Sequence, residues 1–356
     1  MNNTKIITNN KNWMEHNAIR QFENVSTLED VVDAVALPDL HAGIKSPVGI
    51  VLNVHNRLYP HIIGNDIGCG MGLFNTNIKL KQYKQDRWVM RLNHIRALED
   101  IDTINPYDEE SPIYDLGTIG TGNHFAEFQA IHSVENQELF ECLKIDISNV
   151  FLLVHSGSRG YGQRILNEFL DFNGIIPSSQ NGKDYIRAHN HALLWAKRNR
   201  SIVAGKLIDY LGFSKEHETV ADCCHNFLEQ KESYFIHRKG AVSADNRIVA
   251  IPGSRGSLTY IVKPAQNTGL SINSISHGAG RKWARSVCKG KINKKYDRDS
   301  IRQTNLKSKV VCHDTDLLFQ ESPEAYKNIE NIIDSLSDYG LIEVIATLKP
   351  LITYKG

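Results

Sequence analysis

Through the first half of the chain, apolar positions fall in short runs cut by Gly and Pro. "VVDAVALPDLH" (31–41) and "SPVGIVLNV" (46–54) read as strands with turns between them. In "FLLVHSGSRG", the run Phe151–Val154 breaks into a Gly/Ser loop. The period then lengthens. In "KDYIRAHNHALLWAKRNRSIVAGKLIDYL" (183–211), Ile186, Leu193, Leu194, Ile202 and Val203 recur near helical spacing, which predicts a long helix. "NRIVAIPGSRGSLTYIVKP" (246–264) alternates apolar runs with Gly/Ser turns and reads as β. "SPEAYKNIENIIDSLSDYG" (322–340) predicts an amphipathic helix stopped by Gly340, with Pro323 suited to its first turn. "LIEVIATLKPLITY" closes the chain as one or two strands. No internal repeat, heptad or linker interrupts this mixture, so the expectation is a single α+β domain over residues 1–356.

Composition narrows the class. The chain has 356 residues, 41% hydrophobic and 23% charged, which is ordinary globular usage and enough for a substantial core. There is no apolar run of the ~18 residues that suggests a membrane span. The polar start "MNNTKIITNNKNW" has no apolar leader core. The six cysteines show no CxxC spacing. The expectation is a cytoplasmic chain with reduced thiols and no membrane partner.

Charge adds a local feature to a chain of net +1. Residues 281–309 hold eleven Lys or Arg against Asp297 and Asp299, a local +9, so the remainder carries −8. Such a stretch is either a solvated face or a surface for a polyanion. It follows directly on "SISHGAGRKWARS" (274–286), where His277 precedes two glycines and a helix is expected to begin. Gly278 and Gly280 would let backbone N–H groups approach a phosphate, and a helix start would add its dipole. A neutral imidazole there could attack phosphorus. The bland reading is a glycine-kinked helix start with an incidental histidine.

Of the fifteen histidines, few sit in chemically suggestive company. "GNDIGCGMG" places Asp66 and Cys69 three apart in a Gly-rich turn. "GTGNHFAEF" sets His124 between Asn123 and Glu127. His155 ends an apolar run, and His225 follows Cys223 and Cys224. Taken singly, these fit a turn with a buried thiol, hydrogen-bonded core histidines, or a strand end. Taken together, Asp66, Cys69, His124, His155 and His225 offer O, S and N donors suited to Mn, Zn, Co or Fe.

From about Leu37 to Gly356, the ordered motifs "LPDLHAG", "DIGCGM", "GNHFAEF", "HSGSRG", "CHNF", "HRKGA", "PGSRGS", "SHGAGR" and "LKPLITYKG" resemble those of RtcB-type RNA ligases. The resemblance implies an RtcB-like α+β fold around a central cleft holding two Mn²⁺ ions. It implies Asp66, Cys69, His124, His155 and His225 as metal ligands, with Cys69 bridging, and His277 as the residue guanylylated by GTP. The guanylate pocket would draw on Asn123, His124, Phe125, Ala126, Glu127, His225, Asn226, Pro252, Gly253, Ser254, Arg255, Thr259, His277, Gly278, Ala279, Gly280 and Lys355.

The implied reaction joins an RNA 2′,3′-cyclic phosphate or 3′-phosphate to a 5′-hydroxyl. A metal-dependent cyclic phosphodiesterase or phosphatase, or a non-catalytic RNA-binding partner of a translation release factor, are the competing readings. The chain resembles a compact bacterial branch found beside a release-factor-like protein, which suggests RNA repair. It departs from the longer members at Arg255, where an apolar residue or Met is expected, and at Thr259, where Ser is commoner.

Overall fold

The structure, a computed structural model, describes residues 3–96, 98, 116–293 and 295–356. The strands are β1 (Asn3–Ile6), β2 (Val31–His41), β3 (Val48–Val54), β4 (Gly70–Lys79), β5 (Phe125–Val134), β6 (Asn149–Ser156), β7 (Glu218–Cys224), β8 (Asn226–Gln230), β9 (Phe235–Lys239), β10 (Ala241–Ser243), β11 (Val249–Pro252), β12 (Thr259–Pro264), β13 (Ser274–Ser276), β14 (Lys309–Cys312) and β15 (Ile342–Lys355). They form a five-stranded sheet, β1-β2-β3-β9-β8, and an eight-stranded one. The larger runs β11-β12-β15-β5-β6-β4-β7, with β14 pairing parallel to the last residues of β15. A small ribbon, β10-β13, completes the β structure.

The apolar runs are continuous because both sheets are covered on both faces. In β6, Val150, Leu152 and Val154 pack with Val203 and Leu207 of the helix Gln180–Tyr210 and with Trp88 of the helix Gln85–Asn93. Phe151 and Leu153 point the other way, toward Ala250, Ile261 and Leu348. In β2, Ala34 and Ala36 face the helix His16–Ser26, while Val35 and Leu37 pack against Ile332 and Leu336 of the helix Ile329–Asp338. The α+β expectation holds.

Three local expectations need correction. The long helix spans Gln180–Tyr210, but its buried face includes Tyr185, His189, Ala192, Trp195, Ala196, Asn199, Arg200 and Val203. Of the five residues that predicted it, only Val203 is buried, and Leu194 is 59% exposed. The buried face escapes an apolar-period reading because part of it is polar. The C-terminal helix begins at Ile329, capped by the Asn328 side chain, whereas Pro323 opens a separate 3-10 turn. Gly340 (φ 64°) does end it. Finally, no helix starts at His277. Residues 277–284 are irregular, with Arg281 bridged to Tyr326, and the helix begins at Arg285, eight residues beyond His277.

Candidate active site

The side chains singled out for metal binding converge where strand ends of the large sheet line up. Gly70 of β4 pairs with Ser156 on one side and Cys224 on the other, and Phe125 of β5 pairs with His155. This register brings Cys69, His124, His155 and His225 to one level. Cys69 Sγ lies 3.3 Å from His124 Nε2 and 3.1 Å from His155 Nε2, and His155 Nε2 lies 3.3 Å from His225 Nε2. Asp66 Oδ2 is 2.8 Å from His124 Nε2. Gly157 makes room for that carboxylate, since a Cβ there would fall 2.0 Å from Asp66 Oδ1.

The long helix supports these loops with its polar buried residues. Arg200 is fully buried, pairs with Asp222 at 2.6 Å, and donates to the carbonyls of Gly68 and Ser156, next to Cys69 and His155. Asn199 donates to the Thr118 and Gly157 carbonyls and accepts the N–H of Gly117.

This donor set suits a divalent cation. Burial, then the Asp66 charge, pushes the Cys69 thiol well above its usual range. Burial also pulls His155 and His225 well below theirs, which favours neutral imidazoles with lone pairs. His155 Nδ1 lies 3.1 Å from the Asn123 carbonyl, an outer hydrogen bond that presents Nε2 to the cluster. Soft S, borderline N and hard O donors together fit a transition metal of the Mn, Fe, Co or Zn type.

Beside this cluster stands His277, its ring centroid 4.6 Å from that of His225. Behind it is Asp39, fully buried in β2. Asp39 Oδ2 lies 2.6 Å from His277 Nδ1 and accepts the His277 backbone N–H at 3.2 Å. Burial alone would raise the Asp39 carboxyl, but the charge and hydrogen bond of His277 hold it below its usual value. Lys327 donates to the carbonyls on either side of Asp39, those of Pro38 (3.1 Å) and Leu40 (2.7 Å). Gly280 (φ 69°) is required here, because a Cβ would lie 2.3 Å from the Asp39 carbonyl oxygen. Thus at least one glycine of "HGAG" serves the packing against β2.

Cluster and histidine open into one cleft of about 1170 Å³, larger than the ~300–1,000 Å³ usual for small-molecule pockets. Asn123, Phe125, Glu127, Asn226, Pro252, Gly253, Ser254, Arg255, Gly278, Ala279, Gly280 and Lys355 line it. Ala126 and Thr259 do not. Ala126 points into the core, and Thr259 sits behind Glu127, bonded to Gln129 at 2.8 Å. Burial pushes Glu127 up to about 7 and pulls Lys355 down to about 8. Lys355 Nζ donates to the His124 carbonyl at 2.9 Å. Arg255, the departure noted in the sequence, is buried. It donates through Nη2 to the carbonyls of Ile301 and Leu318, while its Nε and Nη1 have no partner among the described residues.

The basic stretch is partly neutralised. Arg281 and Arg285 share the buried Glu321 (2.8 and 3.1 Å), Lys289 pairs with Asp316, and Lys295 with Glu324. Lys282 and Lys291 make no ion pair among the described residues. Lys294 lies outside the described residues.

Sequence reasoning passed over Asp39, Arg159, Lys327 and Glu321. Asp39 stood inside a quoted motif as one acid in an apolar strand, and a buried acid requires a partner. Arg159, in "HSGSRG", has φ 58°, an uncommon conformation for a residue other than glycine, and places Nη1 3.3 Å from His124 Nδ1. Lys327 and Glu321 carried no such local signal.

Comparison with known proteins agrees with this geometry. A family model described as tRNA-splicing ligase RtcB matches residues 21–101 and 90–356. The chain is 38% identical to RNA-splicing ligase RtcB2 of Escherichia coli, over 97% of this chain and 93% of that protein. It is 27% identical to RNA-splicing ligase RtcB of Escherichia coli K12 (96% and 95% covered) and 26% identical to tRNA-splicing ligase RtcB of Archaeoglobus fulgidus (96% and 92% covered). With nearly its whole length matched in this way, and with the family's motifs gathered in one cleft, the chain belongs to the RtcB family.

Proposed function

We propose that the chain is a GTP- and Mn²⁺-dependent RNA ligase. It joins 2′,3′-cyclic phosphate or 3′-phosphate ends of RNA to 5′-hydroxyl ends through a guanylate on His277. The observation that carries this reading is the buried Asp39–His277 pair set against the Cys/His cluster. Asp39 Oδ2 accepts both Nδ1–H and N–H of His277, so the ring is held in one orientation with the Nε2 lone pair free. That nitrogen attacks the α-phosphorus of GTP, the P–O bond to the β-phosphate breaks, and pyrophosphate leaves. The GMP is then transferred to an RNA 3′-phosphate, giving RNA-3′-pp-5′-G and freeing His277. The 5′-hydroxyl attacks the RNA 3′-phosphorus and GMP departs.

Two Mn²⁺ ions, held by Asp66, Cys69, His124, His155 and His225, would supply charge stabilisation at phosphorus and an activated water for opening cyclic phosphates. Glu127 and Lys355, which line the cleft, would bind the guanine, a role supported by the resemblance. A mass spectrum of the protein after incubation with GTP and Mn²⁺ tests the reading. GMP on the His277 peptide is expected, and an unmodified protein counts against it. The reading extends to repair of broken RNA in the cytoplasm beside a release-factor-like partner. Its support is the resemblance to the compact branch, and co-purification from cells tests it.

Two outcomes follow from the geometry. Cys69→Ala should lose bound metal while keeping its fold, because Cys69 is central to the cluster yet small. Elemental analysis finding two metals per chain in the variant would rule out a bridging thiolate. Neutralising Lys282, Lys291 and Arg298 together should weaken RNA binding and flatten its salt dependence by about 0.7 per lost phosphate contact. An unchanged slope would take RNA off this face.

A further inference from the structure

The cleft is lined by three aromatic rings besides its histidines: Phe125, Tyr326 and Trp283. Two are committed. Phe125 packs edge-on against His155 with Lys355 Nζ 6.0 Å from its centroid. Tyr326 bonds Glu321 through its hydroxyl, and the Arg281 guanidinium lies 5.1 Å from its ring. Trp283 differs. It is half-buried, and the cations on its ring are the exposed, unpaired lysines Lys291 (4.5 Å to the centroid) and Lys282 (5.6 Å).

The backbone beneath this ring is fixed. The N–H groups of Lys282 and Trp283 both donate to the Ala325 carbonyl, at 2.7 and 3.2 Å. The Trp283 carbonyl accepts from Arg281 Nε at 3.1 Å, and the same guanidinium is tied to Glu321. An aromatic ring six residues beyond His277, packed against the buried cluster that includes Ile292 and Leu317, therefore stands in the wall of the cleft with two exposed lysines on it. Among the described residues nearby, Arg281 and Arg285 share Glu321, Lys289 pairs with Asp316 and Lys295 with Glu324.

We infer that Trp283 is a stacking platform for an unpaired RNA base next to the end being joined. On binding, Lys282 and Lys291 move from the ring to the flanking phosphates. A lysine on an indole face is held weakly, and a base is a larger and flatter partner. Every base offers a π face, so the platform selects single-stranded ends with little regard to sequence. This role deepens the RNA-ligase reading and rests on it for the identity of the polymer.

The test is the affinity of the full chain for a short labelled single-stranded RNA with a 3′-phosphate, read by fluorescence anisotropy. Trp283→Leu should weaken binding by about 5- to 150-fold, the equivalent of ~1–3 kcal/mol for one stacked base. Trp283→Phe should recover most of the loss. Removing one base at a time from the RNA should find a position near the 3′ end where wild type loses the same factor and Trp283→Leu loses nothing further. Wild-type affinity in Trp283→Leu overturns the platform. So does a scan in which every missing base costs wild type and Trp283→Phe nothing, a measurement that stands even if Trp283→Leu fails to fold. Base-dependent RNA binding without GMP uptake by wild type would remove the ligase reading and leave the platform. The opposite pattern would remove the platform alone.

Discussion

His277→Ala protein, incubated with GTP and Mn²⁺, should take up no GMP, and joining of cyclic-phosphate RNA ends should fall to background. His225 and His155 are turned into the Cys69 cluster, and Lys355 Nζ is engaged with the His124 carbonyl. Metal content should match wild type, because His277 stands beside the donor set without belonging to it. The variant should also seal a pre-made RNA-3′-pp-5′-G end, which already carries its guanylate. GMP retained by His277→Ala, or mapped to Lys355 or another histidine, would sink the assignment.

The second large effect should come from Asp39→Asn. The carboxylate is fully buried and takes two N–H groups of one residue, so it fixes both the position of His277 and which ring nitrogen carries the proton. It also opposes the positive charge that develops on the ring as Nε2 bonds to phosphorus. An amide keeps the volume and loses the charge. Guanylylation in a single turnover should slow on the order of 10²–10⁴-fold, the upper figure being what the same exchange does behind the histidine of serine proteases. Metal content and melting behaviour should change little. A wild-type rate in Asp39→Asn would mean that the pair serves folding alone.

Much of this site could be read as types of residue and little of it as geometry. Asp66, Cys69, His124, His155 and His225 each announced themselves by a loop context. Their convergence depends on the pairing of β4, β5, β6 and β7, which no local window contains, and it was reachable beforehand through resemblance alone. The long helix shows the other limit. Apolar spacing reveals a buried face when that face is apolar, and here Asn199, Arg200 and His189 occupy it because the loops they hold expose carbonyls and N–H groups that need partners. At His277 a helix start was expected and none is there, and Gly280 serves a close approach of two backbones. The strands were the most legible part, since β-branched runs bounded by Gly and Pro have few other homes.

The order in which the large sheet is completed bears on how the protein is made. Strand β15 lies in its interior, paired to β5 along one edge and to β12 and then β14 along the other. It is also the last of these strands in the chain. During synthesis β5, β6, β4 and β7 leave the ribosome well before the strand that joins them to β11 and β12, so β5 keeps an open edge in the meantime. A polypeptide broken off before Ile342 has the Cys/His cluster residues and His277 but not the complete sheet or Lys355. Messages cut short therefore yield chains with an exposed strand edge and an incomplete cleft. That is a useful property in a protein whose proposed task is to mend broken RNA.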